Sequence, residues 1–237
     1  TYGSNRWIAA IDGFTIRNGK AAYGAGINCF SPTTIANNLI TGNDSYLDSS
    51  TSCGGGIHCT TGFNGTLFHA NPLIRNNTIT GNQAYYGSAV GCKYQPATLF
   101  NNRIMKNTGV LGSVYCERTL SLAPAMTISG NTIQSNLCYY QGFVGSPNGG
   151  ICVSKPGLSV GAPGTVSICG NTIIDNPGPA VRSYSTGHPL VLSNNILAFN
   201  SAGLADYSEY GKTSPVTLRN NCFYNPSGKD YEFVEAG

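Results

Sequence analysis

Charge is what this chain has least of. Only 10 % of its 237 residues are charged, against roughly 25 % in an ordinary soluble domain. The 13 basic residues are scattered from Arg6 to Lys229, so a net charge of +3 comes without the basic stripe that marks a nucleic-acid surface. No apolar run approaches the roughly 18 residues that a membrane span requires, and no signal-peptide pattern opens the chain. No C-x-x-C spacing and no Cys/His cluster is present, which argues against a zinc site. No motif supports calcium or any other cofactor. Nucleic-acid binding and membrane spanning are therefore not expected.

What is present is a phrase of the form I-x-x-N-x-I-x-x-N. It appears as IANNLITGN (35–43), IRNNTITGN (74–82), LFNNRIMKN (99–107), ISGNTIQSN (128–136), ICGNTIIDN (168–176) and LSNNILAFN (192–200), with weaker copies at 218–225 and 11–19. The first Asn of the copies falls at Asn38, Asn77, Asn102, Asn131, Asn171, Asn195 and Asn221, in steps of 39, 25, 29, 40, 24 and 26 residues. A period near 25 with long insertions marks a solenoid. Between the copies lies a second phrase, GAGINC (24–29), GGGIHC (54–59), SAVGC (88–92), GSVYC (112–116) and GGICV (149–153). Each repeat thus offers three short runs of period-2 alternation separated by Gly or Asn, which tolerate the positive φ of a sharp corner.

The expected fold is all-β, a single right-handed parallel β-helix over 1–237 with about eight coils and three short strands per coil. Stacked corner asparagines would donate and accept amide bonds along a ladder. Ile40, Ile79, Ile104, Ile133, Ile173 and Leu197, two positions after each Asn, would point inward. The ends carry no obvious polar cap, so a segment of a longer chain, or copies stacked end to end, is expected.

Nine cysteines in so weakly charged a chain suggest an oxidising, extracellular setting. Cys29, Cys59, Cys92 and Cys116 each lie two residues after an inward aliphatic and should form one internal column. That column is either four buried thiols or rungs bridged as Cys29–Cys59 and Cys92–Cys116; parallel Cβ vectors favour the thiols. Cys138 and Cys152 flank an insertion and are the better disulfide candidates. Three N-x-[ST] sequons occur, at Asn43, Asn64 and Asn76.

The run IDGFTIRNG, the G-G-I strands and the NN-x-I corners together resemble the pectate-lyase-like superfamily of right-handed β-helix proteins, and most of all its secreted and surface members. The resemblance spans essentially the whole chain and implies the fold. It leaves function open among lyases, glycosidases, epimerases, tailspikes and adhesins, because function lives in the site. The polygalacturonase set N-T-D, D-D, G-H-G, R-I-K is missing: no two Asp are adjacent and His188 sits in GHP. The D-P-H-E motif is also absent.

Insertions at 44–53, 61–71, 137–148 and 155–165 flank the G-x-[IV]-x-C face and would wall a trough there. The outward register of that face carries His58, Lys93, Glu117 and Arg182 as ionisable candidates, and Phe30, Tyr115, Tyr184 and Tyr207 as rings suited to sugar contact. A lyase would need a base, here Lys93 or His58, and a cation such as Arg182 to stabilise the enolate-like charge. Lys93 and Glu117 on adjacent coils also suit a surface ion pair. A glycosidase would need two carboxylates, for which Asp44 and Asp48 are the pair closest in sequence. His69, in an apolar stretch, suits a packed loop.

The preferred expectation is an extracellular or cell-surface solenoid with a structural, adhesive or filament-forming role, contacting a polysaccharide or surface glycan. A secreted polysaccharide lyase or glycosidase is the alternative, and a receptor-binding fibre of phage type is the third class.

Overall fold

The computed structural model describes residues 9–45, 50–60, 71–93, 95–117, 125–138, 149–154, 164–184, 189–208 and 215–235. The chain is a parallel β-solenoid, with no helix among the described residues. Three eight-stranded parallel sheets line its sides. The first runs from Ala9–Asp12 to Val216–Arg219 and the second from Thr15–Arg17 to Cys222–Tyr224. The third contains Ile27–Cys29, Ile57–Thr60, Val90–Lys93, Val114–Glu117, Ile151–Ser154, Val181–Tyr184, Ala202–Ser208 and Lys229–Glu235. A fourth, short sheet joins Gln83–Tyr86, Thr108–Leu111 and Leu137–Cys138, and isolated bridges extend it back through Asp44 to Lys20 and through Cys53 to Tyr23. The expected eight coils are corrected to about six complete turns. Each sheet counts eight strands, but the outermost strands of the first two sheets are largely exposed.

The corners follow from the repeated phrase. Asn37, Asn76, Asn101, Asn194 and Asn220 all adopt φ between 51° and 57°, and Gly130 and Gly170 take the same place at φ 64°. Asn pays less than other non-glycine residues for this left-handed turn. The next residue is the ladder asparagine, and the expected ladder is present. Asn77 shows its logic. Its Oδ1 accepts from the backbone N and the Nδ2 of Asn38 (both 3.0 Å), while its Nδ2 donates to the Ile35 carbonyl (2.8 Å) and to Asn102 Oδ1 (3.0 Å). All four hydrogen-bonding positions of the amide are used.

A second ladder occupies the next corner: Asn43, Asn82, Asn107, Asn136, Asn176, Asn200 and Asn225 bond by the same pattern. The final Asn225 donates to Asp230 Oδ1 (3.1 Å). The sequon at Asn43 is thus a sealed ladder position, whereas Asn76 is exposed and Asn64 lies outside the described residues.

Between the corners, Ile40, Ile79, Ile104, Ile133, Ile173 and Leu197 stack with no exposed surface, as their spacing implies. Each such side chain contributes about 1.5–3 kcal/mol of apolar burial.

Truncating one mid-ladder residue should cost far more than changing the exposed residue beside it. Asn102→Ala strands Asn77 N, Asn77 Nδ2 and the Ile74 carbonyl, and a loss of about 4 kcal/mol is expected at about 1–3 kcal/mol per buried orphan. Asn101→Ala should cost about 1–2 kcal/mol for its positive φ. Urea midpoints of the two variants measure the difference.

Candidate functional site

The candidate groups lie on the outer side of the third sheet. Its register places Asn28, His58, Gly91, Tyr115, Cys152, Arg182 and Ala205 in one column, with Lys93 and Glu117 level with Thr60 in the next. The expected exposure of the outer column is corrected here. His58, Tyr115, Cys152, Arg182 and Ala205 are all buried. Part of the reason lies in the residues just before the third-sheet corner. Tyr23, Cys53, Tyr86 and Leu111 each precede a glycine with φ between 58° and 69°, and the turn brings their side chains back over the outer column. A Cβ at Gly91 would collide with Cys53 Sγ, so only glycine leaves room for that thiol. Cys53, Tyr115 and Cys152 form a small apolar cluster against which Tyr86, Leu111 and Tyr184 pack. Tyr115 is therefore a packed residue and not an exposed sugar platform.

Each ionisable candidate contacts a tyrosine. Lys93 Nζ lies 4.4 Å from the centre of the Tyr86 ring. Tyr115 donates to Glu117 Oε2 (3.1 Å). The expected Lys93–Glu117 ion pair is thus replaced by a cation–ring contact and a phenol–carboxylate bond, although the two residues are paired in register. Arg182 sits 4.6 Å from the Tyr207 ring centre and donates from Nη1 to the Tyr184 hydroxyl (3.2 Å). Tyr184 and Tyr207 stack at 5.4 Å and are half-buried.

His58 pairs through Nδ1 with Asn28 Oδ1 (3.0 Å), lies 5.3 Å from the Tyr23 ring, and its buried Nε2 has no partner. Burial, and then the charge of Lys93, lower its pKa to about 4. The imidazole is therefore neutral near pH 7 and weaker as a base than ordinary histidine.

The structure brings His58, Lys93 and Glu117 onto three consecutive strands. Arg182 stays three strands beyond Lys93, about 14 Å at ordinary strand spacing, so base and stabiliser do not converge. Phe30 is exposed at the start of the strip. Asp44 joins the short fourth sheet through its backbone. Asp48, His69, His188 and most of the insertions at 61–71, 137–148 and 155–165 lie outside the described residues. Among the described residues no three of His, Cys, Asp and Glu cluster as metal ligands. The covering residues Tyr23, Cys53, Tyr86 and Leu111 were not anticipated; their signal is a bulky residue directly before Gly24, Gly54, Gly87 and Gly112.

All nine cysteines are free thiols. The Cys29–Cys59–Cys92–Cys116 column exists in register, unbridged. Cys138 and Cys152 are corrected from a candidate disulfide to separate buried thiols: Cys138 faces Ser88 Oγ and the Gly149 carbonyl (both 3.9 Å), while Cys152 packs in the outer cluster. Burial pushes Cys53, Cys138 and Cys152 each up to about 12. They stay protonated and poorly nucleophilic.

Two measurements follow. An aromatic disulfide reagent should label exposed Cys222 promptly and Cys169 more slowly, and the seven buried thiols only after denaturation. For His58 the unfolded chain takes up a proton near pH 6.5 and the fold only near 4. Stability is complete above pH 6.5 and falls as pH drops toward 4, by up to about 3 kcal/mol. His58→Phe should flatten that slope in urea titrations at pH 7 and pH 5. Among known proteins, no family model, no curated protein and no solved structure matches the chain.

Proposed function

We propose that this chain is a right-handed β-helix of the pectate-lyase-like kind, acting outside the cell as a non-catalytic structural or adhesive solenoid that contacts a polysaccharide. The hand follows the general preference of parallel strand crossovers. The observation that carries the functional reading is the strip beside the third sheet. There Tyr23 is exposed and Tyr86, Tyr184 and Tyr207 are partly exposed along the axis, and the cations Lys93 and Arg182 are already engaged with tyrosine rings. Rings with fixed polar neighbours suit sugars, whose C–H faces stack on them while their hydroxyls bond at the edges. Proton abstraction fits the strip poorly: His58 is buried with a lowered pKa, and Arg182 is remote from Lys93. The extracellular setting rests on the low charge. The seven buried thiols need no reducing compartment, because burial shields them. A filament-forming role is the assembly form of the same reading, to be seen as end-to-end particles by electron microscopy.

One observation favours an enzyme instead, namely His58, Lys93 and Glu117 on consecutive strands. Affinity electrophoresis against neutral and acidic polysaccharides separates the two. Retardation by at least one polysaccharide is expected, weakened about fivefold in Tyr207→Ala, since a ring contact is worth about 0.5–1.5 kcal/mol beyond its area. No unsaturated uronates and no new reducing ends should appear. Products that form with the wild type and vanish in the His58→Ala, Lys93→Ala double variant would establish the enzyme reading, and absence of any retardation would remove the glycan reading.

A further inference from the structure

The inner column that begins with four thiols ends differently. In register it runs Cys29, Cys59, Cys92, Cys116, Val153, Ser183, Asp206. Asp206 points into the core and is 1 % exposed; neither carboxyl oxygen has a partner of full hydrogen-bond geometry, the Ser183 hydroxyl being the polar group that acts on it. Its own strand, Ala202–Ser208, lies between Val181–Tyr184 and Lys229–Glu235. The groups that act on it are Ser183 on the first neighbour, whose hydroxyl favours the ionised form, and Tyr231 on the second, whose phenol is raised by burial and then by Asp206. No lysine, arginine or histidine among the described residues compensates it. A carboxylate without a cation in such a place is costly, and the inexpensive escape is to hold a proton.

We propose that Asp206 is a proton-operated latch on the last described layer of the solenoid: protonated, it lets Lys229–Glu235 close over the core, and ionised, it drives that strand to open and admit water. Burial raises the proton affinity of Asp206 in the closed layer. The closed form therefore binds the proton and the open form releases it. Closure is complete below the ordinary carboxyl value of 3.8. It weakens as pH rises from there to the raised value, by up to about tenfold per pH unit, and is level beyond it. The strand it releases is already partly exposed, with Tyr231 37 % accessible. Its departure bares the edge of Ala202–Ser208, a row of unpaired backbone groups open to another strand.

The latch is independent of glycan contact. Its test is hydrogen exchange of the intact chain from pH 4 to pH 8, corrected for the intrinsic pH dependence of exchange, with Ile57–Thr60 and Val114–Glu117 as internal references. Protection of Lys229–Glu235 should fall as pH rises in the wild type and stay level in Asp206→Asn, with no matching fall in the references. Asp206→Val, which copies Val153 of the same column, should also be level and serves if the Asn variant does not fold. A level wild type, a slope retained in either variant, or failure of both variants to fold would overturn the latch.

Discussion

The amide of a buried asparagine is the constraint on which the molecule depends. A solenoid must turn its backbone sharply several times per layer, and at each turn the chain leaves the sheet that would have satisfied its N–H and C=O groups. Here the same side chain repairs that loss at two corners of nearly every layer. It bonds the carbonyl of the layer before, accepts from the corner N–H of that layer's asparagine, and hands its second proton to the layer after. Aspartate lacks the donors and glutamine is a methylene too long. The arrangement is neutral throughout, which agrees with a chain that is only one-tenth charged. Two parallel ladders also fix the register of every sheet, since slipping one layer against the next would break both columns at once.

With register fixed, the outer side of the third sheet is decided by what the short fourth sheet carries over it. Tyr23, Cys53 and Tyr86 are bridged to one another across layers, and they lean on His58, Gly91 and Tyr115. A face of ionisable residues and small gaps thereby becomes a lined strip in which charges contact rings. Such contacts are individually modest, about 0.5–2 kcal/mol, but they restrict the mobility that a solvated lysine or arginine would have. That suits a surface meant to hold a ligand more than one meant to move a proton.

The period, the first ladder and the isoleucine columns were legible because each depends on chemistry repeated within a single layer. Asn38 and Ile40 announce themselves by spacing alone. The second ladder was equally visible as the closing Asn of every repeated phrase, and Asn43 stood among the sequons only because N-D-S matches a short pattern by chance. The buried state of Tyr115 and Arg182 was not legible. It depends on residues one layer away in space and 25 to 30 positions away in sequence, and period-2 alternation says which side of a strand a residue occupies, not whether that side is covered. The expected Lys93–Glu117 pair gives way for the same reason, since Lys93 contacts the Tyr86 ring and Glu117 accepts from Tyr115.

The inner column carries the same lesson to its end. Successive residues of a parallel ladder project side by side, whereas a disulfide needs its two Cβ–S bonds twisted about 90° apart. A column of cysteines at strand spacing is therefore close enough to bond and wrongly turned to do so, and the thiols serve as small apolar fillers with weak polarity. That tolerance explains how the column can drift from Cys116 through Val153 to Ser183 without changing the backbone. It does not extend to Asp206, where the side chain is of similar size but can carry a full charge. Every other level of the design agrees with a dry, neutral interior, and natural sequences tend to break such agreement where something other than stability is being selected. A carboxyl group placed one strand from the end of the described sheet, with no cation near it, is such a break.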